Sequence, residues 1–130
     1  MIVRTLSEIV GSERDVCWGY GQSRRFLLEK DGMGFTLTDT TVPAGTECFI
    51  QYPYHLEACY CIEGEGELEL VNGEIYPIKV GTMYALDQHD IHYVRGGEKG
   101  LRLVCVLLPA LKGDERHHFD DSAEPSTYKG

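Results

Sequence analysis

The sequence predicts a single all-β domain that folds as an antiparallel sandwich or barrel. Its 130 residues suit one domain, which at this length buries about two-thirds of the surface that the unfolded chain exposes. Turn signals recur at short spacing, and the runs between them are rich in Val, Ile, Tyr, Phe and Thr, as in small antiparallel β domains. The turn signals are Asp31-Gly32, Pro43-Ala44-Gly45, Glu63-Gly64-Glu65-Gly66, Asn72-Gly73 and Gly96-Gly97.

The two ends of the chain are expected to differ from the β-rich middle. Residues 6–10 fit one helical turn near the N-terminus, with Ser7 as its cap. From Lys112 onward the chain becomes polar, so we expect a loosely packed tail over about residues 118–130. The predicted domain therefore covers residues 1–130, with a short N-terminal segment and a polar C-terminal tail.

The clearest hairpin lies in the middle of the sequence. An alternating run over residues 67–71 is followed by Asn72-Gly73 and by a second alternating run over residues 74–78. An Asn-Gly pair between two such runs is the signal of a two-residue type I′ turn. In this hairpin, Leu68 and Leu70 are expected to face the interior.

Charge, thiols and hydropathy exclude several function classes. The formal net charge of -9 repels phosphate backbones and anionic lipids, so nucleic acid and membrane partners are not expected. The longest apolar stretch, Leu103 to Leu111, is interrupted by Pro109 and is much shorter than the roughly 20 residues of a membrane span. No long apolar run follows Met1-Ile2-Val3-Arg4, and cysteines without a secretion signal favour reduced thiols. These observations predict a cytoplasmic protein.

Side chains that can ligate a metal are concentrated in two segments. His55 and Glu57 share one face of a predicted strand, and the two cysteines that follow on that face are expected to be small buried apolar residues. A second segment carries Tyr84 and, after a loop, His92. If the two segments are neighbouring barrel strands, these four side chains converge on one interior point. A mixed imidazole and oxygen set suits an exchangeable metal such as Fe(II) and differs from a closed, thiolate-rich structural zinc site.

At these residues the chain resembles the cupin superfamily, whose two motifs place metal ligands on adjacent strands of a small β-barrel. Residues 45–64 look like a variant of the first motif, and residues 81–92 look like the second. Further phrases are similar to the ectoine synthase family, so the resemblance covers nearly the whole chain. These phrases are Met1-Ile2-Val3-Arg4, His55-Leu56-Glu57-Ala58, Met83-Tyr84-Ala85-Leu86-Asp87 and Gly113-Asp114-Glu115-Arg116-His117.

The resemblance implies a cupin barrel, which is a double-stranded antiparallel β-sandwich or jelly roll. It also implies a lyase that cyclises N-γ-acetyl-L-2,4-diaminobutyrate to the osmolyte ectoine with loss of water. In that family the Fe(II) ligands map onto Glu57, Tyr84 and His92 of this chain, and the expected assembly is a head-to-tail homodimer. The implied substrate-binding positions are Arg25, Thr40, Tyr52, Asp90 and Leu107. The implied catalytic positions are Glu115, His117, His55 and Tyr52.

The chemistry of that reaction fits these residue types. An amide is a poor electrophile, and a divalent cation that acts as a Lewis acid on the acetyl oxygen lets the amine of the same molecule attack. Arg25 is expected to clamp the substrate carboxylate with two hydrogen bonds, while Arg24 faces solvent. Glu115 and His117 are the expected acid and base, and which residue plays which role is open.

Two positions depart from the family pattern. Gly21 stands where the family usually has a tryptophan, although Trp18 and Tyr20 lie close enough to substitute for it, and Leu107 begins the segment where the family has a Phe-Asn-Pro-Pro run. A pocket without these aromatic walls leaves other functions open. They are a related cupin with a different amide or amino acid substrate, an iron cupin oxygenase, and a non-catalytic cupin that senses or stores a small molecule.

Overall fold

A computed structural model describes residues 1–119 and 123–128, and these residues form one antiparallel β-sheet that is bent over itself. The all-β prediction is therefore confirmed. The elements are helix α1 (Leu6–Ile9), β1 (Asp15–Cys17), β2 (Gln22–Arg25), a 3-10 helix (Glu29–Asp31), β3 (Thr36–Val42), β4 (Glu47–Ile50), β5 (Leu56–Leu70), β6 (Ile75–Lys79), β7 (Met83–Leu86) and β8 (His92–Leu108). Within the described ranges no helix is long and apolar enough to cross a bilayer.

The two longest strands, β5 and β8, form the centre of the sheet. Its strand order is β1-β2-β3-β8-β5-β6, with β4 added to β8 and β7 added to β5. In what we call the first half, residues 56–64 of β5 pair with residues 101–108 of β8, and β7 and β3 lie on either side. In the second half, residues 66–70 of β5 pair with residues 92–96 of β8, flanked by β6 and β4. Both halves therefore share the same two strands.

Glycines and register shifts mark the bend between the halves. The β5–β8 register shifts between Cys61 and Glu63 and again between Gly64 and Gly66. Gly64 has a φ of 82°, and a Cβ atom at this position would overlap the carbonyl oxygen of Gly100. A side chain is excluded here by both the left-handed backbone and the close approach of the partner strand, which explains the glycine-rich signal.

The predicted hairpin forms, but its turn differs from the prediction. Strands β5 and β6 pair from Glu65↔Lys79 to Glu69↔Ile75. Gly73 has a φ of 92°, whereas Asn72 is not among the residues with positive φ. A type I′ turn requires positive φ at both central residues, so that prediction is wrong. The Asn72 side-chain oxygen instead accepts a hydrogen bond from the backbone N–H of Glu74 at 3.0 Å, which stabilises a longer loop.

The prediction of a loosely packed tail is wrong for the part of it that the structure describes. The backbone of Ser126 accepts a hydrogen bond from Gln51 and donates one to Phe49, at 3.0 and 2.9 Å. Phe119 and Tyr128 pack against the core. These two aromatic side chains bury apolar area in the fold. The residues around them are polar, so the sequence pattern did not indicate this packing. Residues 120–122 and 129–130 of the predicted tail lie outside the described residues.

Candidate active site

The interior face of the first half is unusually polar. Strand pairing aligns side chains in transverse rows, because every second residue of each strand points to the same face. One row contains Tyr84 of β7, Cys59 of β5, Cys105 of β8, Thr38 of β3 and Arg25 of β2. The adjacent row contains Leu86, Glu57, Leu107 and Thr36. The face therefore collects acidic, phenolic, thiol and hydroxyl groups in one region.

A small cavity lies between the two halves of the sheet. Its volume is about 30 Å³, which is room for one or two water molecules. Five predicted site residues line it, namely Thr40, Tyr52, Glu57, Tyr84 and Leu107. Ile50 and Val94 line it from the second half, and Trp18 and Tyr128 come from outside both. The cavity thus contains the centre of the predicted site.

The predicted metal ligands approach this interior from both halves. Glu57 and Tyr84 lie on the paired strands β5 and β7, as expected for neighbouring barrel strands. His92 begins β8 two residues before Val94, which lines the cavity, so the two side chains share a face. His92 is fully buried. Its Nδ1–H donates to the carbonyl of Asp90 at 2.8 Å, which leaves Nε2 as the free ligand atom.

Two features of these residues fit a bound cation. Nε2 of His92 is a buried polar atom without a hydrogen-bond partner among the described residues. Burial raises the pKa of Glu57 to about 8, with only a partial opposing effect from a hydrogen bond to Cys59. Burial also lowers the pKa of His92, which keeps the imidazole neutral as ligation requires. A cation between these groups would satisfy the nitrogen and stabilise the carboxylate.

His117 lies in an aromatic cluster beside the cavity. Its Nε2 is 3.2 Å from the Tyr52 hydroxyl, and its Nδ1 is 3.1 Å from Oγ of Ser126. The rings of Tyr52 and Tyr128 have their centroids 5.2 and 4.4 Å from that of His117. Burial, with repulsion from His92 and Arg25, lowers the pKa of His117 to about 3. The imidazole is therefore neutral and shares a hydrogen bond with Tyr52.

Arg25 and Glu115 lie together, but their side chains bind backbone groups of residues 112–115 and do not line the cavity. The Arg25 guanidinium is fully buried and donates to the carbonyls of Gly113 and Glu115 at 3.0 and 2.5 Å. Burial alone would raise the pKa of Glu115, but hydrogen bonds from the backbone N–H groups of Gly113 and Lys112 outweigh it and lower that pKa. In this structure the guanidinium anchors the segment leading to His117, and its expected role as a clamp for the substrate carboxylate stays a prediction. Arg24, as expected, is the more exposed of the two arginines.

His55 and Asp90 lie at the margin of the site. His55 precedes the first residue of β5, so the strand alternation does not extend to it. Its Nδ1–H donates to the carbonyl of Pro109 at 2.8 Å, and the ring does not line the cavity. Asp90 lines a surface groove of about 390 Å³ that Tyr84 also borders. The structure therefore separates these two residues from the cavity that contains Glu57.

The aromatic wall that Gly21 cannot provide is supplied by Trp18. A Cβ atom on Gly21 would overlap the carbonyl oxygen of Thr41, so no side chain fits there. Trp18 lines the cavity instead, with only 4% of its surface exposed, and its Nε1–H donates to the same Thr41 carbonyl at 2.9 Å. Leu107 is 1% exposed and lines the cavity as predicted. The substitution by Trp18 that the sequence left open is confirmed.

Among the side chains of the cavity wall that carry a hydroxyl or thiol group, sequence reasoning missed three. Thr38 could have been found, because it shares the alternation of β3 with Thr40, and the two hydroxyls are 2.7 Å apart. Cys105 could not be recognised as a site residue, because a buried cysteine usually serves only as a small apolar residue. Tyr128 gave no signal beyond being an isolated aromatic residue in a polar stretch.

Over nearly its whole length the chain is similar to one family of known proteins. A family model described as ectoine synthase matches residues 1–127. The chain belongs to the ectoine synthase family. An L-ectoine synthase from Desulfatibacillum aliphaticivorans is 55% identical over 128 residues, which cover 96% of this chain and 97% of that protein. An L-ectoine synthase from Sporosarcina pasteurii is 57% identical over 118 residues, which cover 90% of this chain and 88% of that protein.

Solved structures of similar proteins agree with the fold of this family member. The crystal structure of ectoine synthase from P. lautus matches with a TM-score of 0.83 and 55% identity, over 87% of this chain and 81% of that one. A double-stranded β-helix protein from Klebsiella pneumoniae matches with a TM-score of 0.63 at 17% identity, over 85% and 91% of the two chains. The second likeness concerns the fold alone, and it confirms the predicted cupin barrel.

Proposed function

We propose that this member of the ectoine synthase family is an Fe(II)-dependent lyase that cyclises N-γ-acetyl-L-2,4-diaminobutyrate to ectoine with loss of water. One observation carries the proposal. The buried carboxyl group of Glu57 lines the cavity, and the unpartnered Nε2 of His92 belongs to a side chain on the same face of β8 as Val94, which also lines it, within a chain of this family. Tyr84, on the strand next to Glu57, would supply the third ligand.

The metal and the polar residues would have separate tasks. When bound, Fe(II) would act as a Lewis acid on the acetyl group of the substrate. Thr38 and Thr40 offer paired hydroxyls that can orient the polar groups of the substrate, while Trp18 and Leu107 provide apolar walls that exclude water. Holding the amine and the carbonyl of one molecule in attack geometry lowers the entropic part of the barrier.

Tyr52 and His117 are the pair placed best to assist the departing hydroxide. The amine must be neutral to attack, and the proton that the departing hydroxide gains to leave as water is one that the attacking nitrogen loses. Burial raises the pKa of Tyr52 and lowers the pKa of His117 to about 3, so both groups are neutral and His117 is a weak base. The hydroxyl of Tyr52, which lines the cavity, would therefore donate a hydrogen bond to the departing oxygen, while the Nε2–H of His117 donates to Tyr52 and holds it in place. Glu115 is a weaker choice, because two backbone N–H groups occupy its carboxylate.

The size of the cavity adds a requirement for substrate entry. Pockets that hold small molecules usually measure about 300–1,000 Å³, whereas this cavity measures about 30 Å³. Tyr128 contributes to the cavity wall from the C-terminal segment, where it packs on Tyr52 and His117. We propose that Tyr128 moves aside when the substrate binds, because the other walls belong largely to the sheet.

The direct test uses iron-loaded protein and the acetylated diamino acid. Mass spectrometry should detect a product lighter than the substrate by one water molecule, and metal-free protein should give much less of it. If the protein holds iron but leaves the substrate intact, ectoine formation is excluded. The related cupin with another substrate then becomes the better explanation.

We also propose a homodimer, which the exposed face of the first half supports. Outward-facing apolar side chains lie next to one another there, because Leu56 pairs with Leu108, and Tyr60 pairs with Met83. All four are at least 41% exposed. Such a contiguous apolar face marks an interaction surface. Light scattering at micromolar concentration should give the mass of two chains, and the mass of one chain would contradict this proposal.

A further inference from the structure

Three buried donor atoms at the cavity form a cluster of which the proposed iron site uses only one, the carboxylate of Glu57. Cys59 and Cys105 are direct partners across β5 and β8, and Glu57 precedes Cys59 by two residues on the same face. The two sulfur atoms and a carboxylate oxygen all lie within 4.8 Å of one another. Glu57 is 8% exposed, and the two cysteines are 2% and 3% exposed. Such a spacing allows all three atoms to reach one ion with small side-chain rotations.

The other buried cysteines do not share this arrangement. Among the described residues, no further group of three or more such donors meets the same distance limit. Cys61 lies on the same face of β5, but its thiol donates to the carbonyl of Glu63 at 3.3 Å. Cys48 is equally buried and belongs to the apolar half. Cys48 and Cys61 are therefore accounted for by burial alone, whereas Cys59 and Cys105 also lie beside a carboxylate.

We propose that Glu57, Cys59 and Cys105 form a second metal site that takes a thiophilic divalent cation such as Zn²⁺. Thiolate sulfur and carboxylate oxygen are usual zinc ligands, and tetrahedral coordination leaves a fourth position for water. The adjacent cavity of about 30 Å³ has room for that water. Binding would convert two thiols, the carboxyl group of Glu57 and one aqueous ion into a complex with two thiolates and one carboxylate, and would release to the solvent the two thiol protons and the proton of Glu57 wherever that carboxyl group is protonated.

The two proposed sites share Glu57, so they exclude each other. This consequence rests on the proposed function, because it assumes that Fe(II) also uses Glu57. Divalent zinc generally binds a given set of nitrogen, oxygen and sulfur ligands more tightly than divalent iron. Zinc would then displace iron from Glu57 and inhibit the enzyme, and loss of the two thiols would relieve that inhibition.

Cobalt(II) is the probe for the site, because thiolate ligation to Co²⁺ gives a near-ultraviolet charge-transfer absorption. The titration uses the full chain with Cys17→Ser, which removes the exposed thiol, and a reductant that contains no thiol. One Co²⁺ per chain should produce the band. Cys59→Ala and Cys105→Ala should each reduce its intensity about twofold and weaken binding at least about tenfold. The matched controls Cys48→Ala and Cys61→Ala should leave the band unchanged.

Two results would overturn the proposal. One is the absence of a thiolate band, and the other is a band whose intensity is undiminished in both the Cys59→Ala and the Cys105→Ala variant. X-ray absorption of the unmodified protein loaded with Zn²⁺ avoids any folding defect of the variants. It should find two sulfur atoms at about 2.3 Å, and a shell of nitrogen and oxygen alone would also refute the site. None of these measurements depends on turnover. They therefore test the second metal site independently of whether the protein forms ectoine.

Discussion

The two halves of the folded sheet share β5 and β8 but present different side chains to the interior. In the second half, the rows across the strands are almost entirely apolar, for example Cys48, Val94 and Leu68, and His92 is the exception. In the first half, the corresponding interior positions carry polar groups, namely Glu57 and the row from Tyr84 to Arg25. The comparison suggests that one half supplies most of the packing and the other supplies the chemistry.

Replacing Glu57 with Ala should have the largest effect, because it removes the carboxylate common to both proposed metal sites. Iron affinity should fall more than about 100-fold, since even groups behind the ligands commonly contribute 10–100-fold. Iron content after dialysis and product formation are the two measurements.

The matched control for that change is His118→Ala, because His118 is exposed and outside the cavity. It should retain iron and activity. Full iron occupancy in Glu57→Ala would show that the first half does not contain the metal site.

Replacing Leu68 with Ala should lower the stability of the protein without changing the chemistry. Leu68 is 6% exposed and pairs with Val94 in the apolar half, so a cavity left there should cost about 2–5 kcal/mol in the free energy of unfolding. Denaturant unfolding measures the loss. The folded fraction should keep the iron affinity of the unmodified protein.

Leu107→Ala sharpens this comparison, because Leu107 is equally buried but lines the cavity in the first half. It should lower both stability and kcat/KM. If Leu68→Ala reduces kcat/KM per folded molecule as much as Leu107→Ala does, the proposed division between the halves is wrong.

Replacing Gly21 with Ala should destabilise the protein by about 1–3 kcal/mol, because its Cβ would overlap the Thr41 carbonyl. Thermal unfolding of the variant checks this. Gly11→Ala is a useful reference, since its Cβ would meet no atom within 4 Å and only the cost of a φ of 78° applies. A Gly21→Ala variant that is as stable as the unmodified protein and has an improved kcat/KM would contradict this, because it would show that the cavity lacks a side chain at this position.

The smallest effect concerns the pH dependence of stability through His117. Its pKa is about 3 in the fold and about 6.5 in an unfolded chain, so between these values only the unfolded chain takes up the proton. Stability is therefore present above about pH 6.5 and is lost as the pH falls toward 3. From pH 7 to pH 5 this amounts to about 2 kcal/mol, and His117→Asn should remove that loss.

The measurement is the difference in unfolding free energy between the unmodified protein and His117→Asn at each pH. Glu57 makes an opposite contribution to the pH dependence of the unfolding free energy, because its raised pKa stabilises the metal-free fold at lower pH. This contribution is the same in both proteins and therefore cancels in the difference. A difference that does not change with pH would mean that His117 is accessible to protons in the folded protein.

The sequence predicted best those features that depend on local backbone geometry. Alternation along β5 placed Glu57 on the interior face, because strand periodicity requires only neighbouring residues, whereas Thr40 was implied only by the family resemblance. The alternation failed at His55, where the strand had not yet begun.

Features that depend on distant contacts could not be predicted from local pattern. Arg25 contacts the carbonyl of Gly113, 88 residues away, and this contact decides that the guanidinium anchors a loop. The exclusion of a side chain at Gly21 depends on the Thr41 carbonyl, a contact between the turn before β2 and strand β3. The spacing of residues in a motif indicates neither of these two contacts.

The sharing of β5 and β8 also bears on how the chain folds. Neither half exists until residues 56–70 have met residues 92–108, so most of the sheet depends on contacts between segments far apart in sequence. Closing such loops before any interior is buried makes folding slow, typically milliseconds to seconds for β-rich domains. It also means that neither half can melt while the other survives, because each would lose its central pair of strands. A single cooperative transition, seen equally by probes in both halves, is the kinetic and thermodynamic signature of this shared pair.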